Sequence, residues 1–217
     1  MAKVILFDFW GTLVENGVYP SPLKQAKFIL WVEGPYSYFV QMFEKHFMTS
    51  KFNDLTQGFK HACDELKLQY QDDQIEKLVG MWNKNRLLAK VFPETEEVLK
   101  ALKAKGYKIV LISNTDFSSI DGLLDKFNLR QYFDATVLSY DCGLLKNEPR
   151  MFEIALEKVG ASKDDALMVG DSFESDVKGA QKAGIKAVLL DRHDRVQHSP
   201  KILTLLEMED FLNHIKF

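Results

Sequence analysis

The chain has 217 residues, 46% of them hydrophobic and 27% charged, with a formal net charge of −3. That length buries a full core, the balance is that of an ordinary soluble globular protein, and the small acidic surplus argues against a nucleic-acid binder, whose surplus is basic. Cys63 and Cys142 stand in no paired or metal-like spacing, no apolar run reaches a membrane span, and "MAKVILFDFW" is too briefly apolar for a signal peptide; a cytoplasmic protein is expected, with neither nucleic acid nor membrane as partner.

The first element is an apolar strand run, 3–7 "KVILF", closed by Asp8. Residues 15–92 then carry no strand run and four helical stretches, at about 22–33, 36–47, 54–67 and 72–90. Ser21 and Pro22 sit in cap and first-turn positions of the first, and Gly34-Pro35 ends it. Tyr36, Phe39, Val40, Phe43 and Phe47 share a face of the second. From residue 93 strands and helices alternate. A helix over 94–105 has acid at its start and base at its end, with Gly106 beyond. Strand 107–112 follows, then a helical face of Phe117, Ile120, Leu124 and Phe127, then strand 135–138. Pro149 opens a helix with Phe152, Ala155, Leu156 and Val159 on one face. Strand 165–169, a helix with Phe173, Val177 and Ala180, and strand 185–190 come next. The tail 202–215 adds a short strand, "ILTLL", and a last helix. The expected fold is α/β: a Rossmann-like three-layer core with a parallel sheet, from 1–14 and 93–217, and an all-α domain inserted at 15–92.

Asp8, Ser113 and Asp171 each stand at, or just past, the C-terminal end of a strand run, where ligands of open parallel sheets bind. Lys146 lies in the connection ahead of Pro149, and Asp176 follows Asp171 inside "GDSFESD". Taken singly, each acid has a plain reading as a turn or helix cap. Together, three carboxylates repel one another, and one lysine does not compensate them. Hard oxygen ligands of that kind suit Mg²⁺, which shares its remaining positions with phosphate oxygens. Ser113, Asn114 and Thr115 precede a helix beginning near Phe117, an arrangement that holds an anion, although "SNTD" is also an ordinary N-cap sequence.

These residues resemble, in order, four motifs of the haloacid dehalogenase superfamily of hydrolases: Asp8-Phe9-Trp10-Gly11-Thr12-Leu13, Ser113 in "LISNT", Lys146 in "GLLKNEPRMF", and Asp171 with Asp176 in "VGDSFESD". The resemblance implies a core with a helical (C1-type) cap at 15–92, acting on a small phosphorylated substrate. Asp8 would attack phosphorus and become an aspartyl phosphate. Mg²⁺ would sit between Asp8, the backbone carbonyl of Trp10 and Asp171, with Asp176 in its second shell or bound through water. Thr12, Ser113, Asn114 and Lys146 would hold the phosphoryl oxygens, with Ser113 and Lys146 serving catalysis. Asn147 stands where proline is common.

Trp10 occupies the slot of the family's general acid/base, and an indole offers an N–H with no useful acidity and no acceptor. Three repairs are open: a substrate with a good leaving group, a proton from the cap with His46 and His61 as candidates by type, or chemistry other than phosphoryl transfer. The dehalogenase branch carries an aromatic residue at this slot but lacks the carboxylate at Asp171, so phosphohydrolase ranks ahead of it. A phosphonate-cleaving enzyme would need a cap lysine, for which Lys24, Lys27, Lys45 and Lys51 are available. A decayed metal- or phosphate-binding protein is the non-enzymatic alternative. The cap aromatics Phe28, Trp31, Phe39, Phe43, Phe47, Phe52 and Phe59 are read first as packing, with a partner surface or a homodimer left open.

Overall fold

The computed structural model describes residues 3–214; the outermost positions of the expected core, 1–2 and 215–217, lie outside them. Six strands form the main sheet: β1 (Val4–Phe7), β4 (Lys108–Ser113), β5 (Ala135–Leu138), β6 (Ala166–Gly170), β7 (Lys186–Leu190) and β8 (Lys201–Ile202). They lie in the order β5-β4-β1-β6-β7-β8, every pair parallel. Alternate residues of β1 enter two different clusters: Ile5 and Phe7 on one face, Val4 and Leu6 on the other. Helices α5 (Thr95–Ala104), α6 (Ile120–Lys126) and α10 (Met208–His214) cover the first face, through Leu99, Leu124 and Met208 among others. Helices α8 (Pro149–Val159) and α9 (Lys178–Lys182) cover the second, through Phe152, Leu156 and Ala180. A single turn, α7 (Ser139–Cys142), follows β5 directly. Strands buried on both faces read as continuous apolar runs, which is why these were legible.

Several boundaries differ from expectation. The tail strand is Lys201–Ile202 alone, and Leu205–Glu207 turns as a 3₁₀ segment capped by Thr204. The helix expected from Phe117 starts at Ile120, because Asp116 draws the Ser118 N–H and both the Ser118 and Ser119 hydroxyls into a side-chain turn. Phe173–Val177 is a wide π turn leading into α9.

Between β1 and α5 lie four helices: α1 (Pro22–Ile29), α2 (Tyr36–Phe47), α3 (Leu55–Glu65) and α4 (Asp72–Leu88). The first ends at Ile29 rather than near 33, with Trp31 in a left-handed turn at φ 51°. These helices bury a cluster of their own, in which Phe47 stacks on Phe59 at 4.4 Å and Trp82 meets both rings edge-on. Phe39, Phe43, Phe47 and Phe59 are therefore packing residues, whereas Phe28 and Trp31 stand 79% and 77% exposed. The expectation of no strand in this stretch is corrected at its ends. There β2 (Val14–Glu15) pairs antiparallel with β3 (Lys90–Val91), so the chain leaves and re-enters the sheet layer at one point. Two-residue strands are too short to show a period. Among the described residues no helix is long and apolar enough to cross a membrane, and both cysteines are free.

Candidate active site

Parallel strands end on one side, and register decides what meets there. Phe7 lies level with Leu111 of β4 and Val169 of β6, so the residues just beyond these pairs are brought together. Asp8 is 6% exposed, and its Oδ1 accepts from the Ser113 hydroxyl at 3.2 Å and from Lys146 Nζ at 2.5 Å. The same ammonium donates to Asp176 Oδ1 at 2.5 Å. Asp176 Oδ2 in turn accepts from Ser172 N at 2.9 Å, so both its oxygens are engaged by the protein. Asp8, Asp171 and Asp176 each offer one oxygen within 4.8 Å of the others.

Two glycines make this crowding possible. Gly11 has φ +78°, and a Cβ there would lie 2.2 Å from Asp171 Oδ2. A Cβ on Gly170 would lie equally close to Asp176 Oδ2. Arg192 braces the loop after β1 by donating to the carbonyl of Thr12 at 2.9 Å and to Glu94 at 2.6 Å, its guanidinium 3.6 Å above the centre of the Phe92 ring.

Burial pulls the Lys146 ammonium down, but Asp176 and Asp8 outweigh it and hold it above the ordinary lysine range. Burial, and after it the charge of Asp8, hold the Asp176 carboxyl up at about 6 despite Lys146. Asp171 retains accessible surface, but that surface opens into a narrow cleft; removal from bulk water, then Asp8 and Asp176, keep its carboxyl well above the usual range. One ammonium among three carboxylates leaves negative charge in excess, and all the free donors are hard oxygens. That donor set fits a divalent cation such as Mg²⁺.

The cleft encloses about 250 Å³ between the sheet edge and the helical segment. Asp8, Trp10, Asn114, Lys146 and Asp171 line it, whereas Ser113 and Asp176 stand behind the lining. Trp10 lies edge-on to Phe9 at 5.2 Å. Thr12 is fully buried and outside the lining, its hydroxyl without a hydrogen-bond partner among the described residues. Asn114 is committed at both ends: Oδ1 accepts from Lys146 N and Nδ2 donates to Glu44 Oε2, each at 2.9 Å. The Thr115 N–H is taken by Ser139 Oγ at 2.8 Å, and α6 starts three residues later than expected, at Ile120.

The helical segment places none of the expected groups in the cleft. His46 lies 3.9 Å from Glu65, and His61 packs on Phe52 at 5.2 Å. Lys27 donates to the Val32 carbonyl and Lys51 pairs with Asp141; neither they nor Lys24 and Lys45 line the site. It contributes Glu44 and Trp82 instead, which the sequence reading missed. A signal for Glu44 existed: Tyr36, Val40, Glu44 and Met48, four residues apart on one helical stripe, all line the cleft.

A family model of haloacid dehalogenase-like hydrolases matches residues 2–184. The glyceraldehyde 3-phosphate phosphatase of Methanothermobacter thermautotrophicus is 36% identical over 104 residues, 48% of this chain and 46% of that protein. Against such relatives the match thus spans about half their length. The phosphoglycolate phosphatase of Aquifex aeolicus is 28% identical over 194 residues, 86% of this chain and 84% of that protein. The solved 2-haloacid dehalogenase of Pseudomonas syringae pv. Tomato DC3000 superposes with a TM-score of 0.65 at 20% identity, covering 98% of this chain and 99% of that one. At that identity the likeness is one of fold.

Proposed function

We propose that this chain, which belongs to the haloacid dehalogenase-like hydrolase family, is a Mg²⁺-dependent phosphohydrolase that uses Asp8 as nucleophile on a small phosphorylated substrate. The observation that carries the reading is the crowding of Asp8, Asp171 and Asp176 within 4.8 Å around the buried Lys146. Similarity to phosphatases supports the substrate class. Residues 15–92 act in this reading as a cap over a core of 1–14 and 93–217.

Asp8, the Trp10 carbonyl and Asp171 would hold Mg²⁺, with Asp176 behind them. Bound there, the cation supplies charge that the carboxylates and phosphoryl oxygens share. Lys146 and Ser113 hold Asp8 Oδ1, which leaves Oδ2 for attack on phosphorus. The Oδ2–P bond forms as the bond from phosphorus to the leaving oxygen breaks, and that oxygen takes the electron pair. Water then attacks the aspartyl phosphate, the Oδ2–P bond breaks, and inorganic phosphate leaves with Asp8 restored. Lys146 offsets charge on Asp8 in both steps, and Asp176 positions its ammonium.

Trp10 lining the cleft is the feature that favours a dehalogenase. Against that stands Asp171, whose carboxylate would repel both a halide leaving group and a 2-haloacid. The test is phosphate release from a panel of phosphate esters and acyl phosphates, with Mg²⁺ and with EDTA, for wild type and Asp8→Asn. Turnover that needs the metal and vanishes in Asp8→Asn is expected. Silence on the panel together with chloride release from 2-chloropropionate would replace this reading by the dehalogenase one.

A further inference from the structure

We propose that Glu44 is the general acid and base of this site, doing from the helical segment what Trp10 cannot do from the strand loop; the assignment rests on the phosphohydrolase reading above. The acids lining the cleft are Asp8, Asp171, Asp116 and Glu44. Asp8 is the nucleophile in that reading, and Asp171 belongs to the metal. Asp116 has no oxygen to spare, since Oδ1 accepts from Ser118 N and Oγ, and Oδ2 from Trp82 Nε1 and Ser119 Oγ. Glu44 is the one left. Its Oε2 accepts from Asn114, and Oε1 has no hydrogen-bond partner among the described residues.

Asn114 also decides where a proton on Glu44 sits. Its Oδ1 is committed to the Lys146 N–H, so its amide NH₂ must face Glu44 and can only donate. Oε2 is therefore the accepting oxygen, and the carboxyl proton belongs on Oε1. The same amide fixes Glu44 against the residue whose ammonium grips Asp8.

Glu44 is half-buried, and drawing its carboxyl out of bulk water raises it to about 7, with Asn114 and Lys146 pulling down and Asp8 and Asp176 pushing up. An acid of that strength is half-protonated near neutral pH, where proton transfer in both directions is served best. Besides those charges, Tyr36 faces it from its own helix, and Glu174, Lys178 and Lys182 from an adjoining groove.

In the first step Glu44 Oε1 gives its proton to the leaving oxygen as that oxygen parts from phosphorus. In the second, the carboxylate takes a proton from the water that forms the new P–O bond, and Glu44 returns to its acid form. Atoms and charge balance over the cycle, and no other reactant is needed.

The test compares single-turnover release from an alkyl phosphate, whose alkoxide needs a proton, and from p-nitrophenyl phosphate, whose phenolate does not. In Glu44→Gln the alkyl-to-aryl rate ratio is expected to fall by about 10²-fold or more, the scale of a lost general acid. Glu44→Asp should recover part of it. An unmoved ratio, whether both rates fall together or neither does, overturns the role of Glu44 while leaving a phosphatase in place. No turnover of either ester by wild type, and no difference from Asp8→Asn, removes the phosphohydrolase reading and this assignment with it.

Discussion

The Trp82 indole donates its Nε1–H to Asp116 Oδ2 at 2.8 Å, with both side chains buried. This bond joins helix α4 to the loop that follows β4, the same loop that presents Asn114 directly after Ser113, the last residue of the strand. It holds the helical segment against the sheet edge at the wall of the cleft, since both residues line it.

Trp82→Phe keeps the ring that meets Phe47 and Phe59 and removes only the donor. Leaving a buried carboxylate oxygen short of a partner costs about 1–3 kcal/mol. For a chain of this size that lowers Tm by about 2–4 °C per kcal/mol in scanning calorimetry. A rise in KM larger than the fall in kcat should accompany it, as the cleft wall loosens; an unchanged Tm would show that the bond does not hold the two layers.

Gly11→Ala forces a side chain into a left-handed backbone, at a cost of about 1–3 kcal/mol. It also drives a methyl into Asp171. The expected result is a lower Tm together with loss of the Mg²⁺-induced rise in Tm that the proposed metal site predicts for wild type in the absence of substrate. If the Gly11→Ala protein melts lower but gains the same rise, Asp171 is not where the cation is held.

Lys146→Met leaves Asp8 and Asp176 buried without their shared counter-charge. Breaking a buried pair in this way costs about 3–5 kcal/mol. Adding Asp176→Asn should restore part of that stability, so the two changes are far from additive in denaturant melts. Simple additivity would mean that the ammonium does not join the two carboxylates in solution.

Glu44 links stability to pH with a defined sign. Its carboxyl is raised in the folded protein to about 7, from an ordinary value of 4.5. The folded state therefore binds the proton more tightly than the unfolded chain. That contribution is fully present below pH about 4.5 and is lost as pH rises through about 7. Glu44→Gln has no proton to lose, so its Tm relative to wild type should climb between pH 5 and pH 8.5, measured in EDTA. A constant difference across that range would place Glu44 in water rather than in the cleft.

Trp10→Asp puts a carboxyl back beside Asp8. Alkyl phosphate turnover should rise, and most of all in the Glu44→Gln background, where about 10²-fold is there to be regained. If the double variant is no faster than Glu44→Gln alone, proton transfer is not what that variant lacks.

The five long strand runs were legible because each is an unbroken apolar stretch closed by a polar or turn residue, and their lengths were right to within a residue or so. In the inserted segment, the second helix was legible from its aromatic face and the first from Ser21, Pro22 and Gly34-Pro35, although it ends earlier than expected. The β2–β3 ladder was not, since two residues carry no period, and the late start of α6 was not, since Asp116 reads equally well as a helix cap. Among the candidate residues, Asp8 and Asp171 meet as their strand-end positions required, and Lys146 and Asp176 reach them from the connections that follow β5 and β6. Thr12, expected among the groups that hold phosphate, is fully buried in the turn after Gly11.

Sequence alone thus determined the parallel sheet, the side of it on which carboxylates gather, and the absence of an acid at position 10. These follow from strand polarity and residue type, both local properties of the chain. Only tertiary structure decided that Glu44, and not His46 or His61, enters the cleft from the helical segment. Which stripe of a helix faces a neighbouring layer depends on how the two layers are docked, and that angle is set by contacts such as Trp82 with Asp116 between residues far apart in the chain. A group's protonation depends on the charges packed around it, so the acid strength of Glu44 exists only once Asn114, Lys146 and Asp8 surround it.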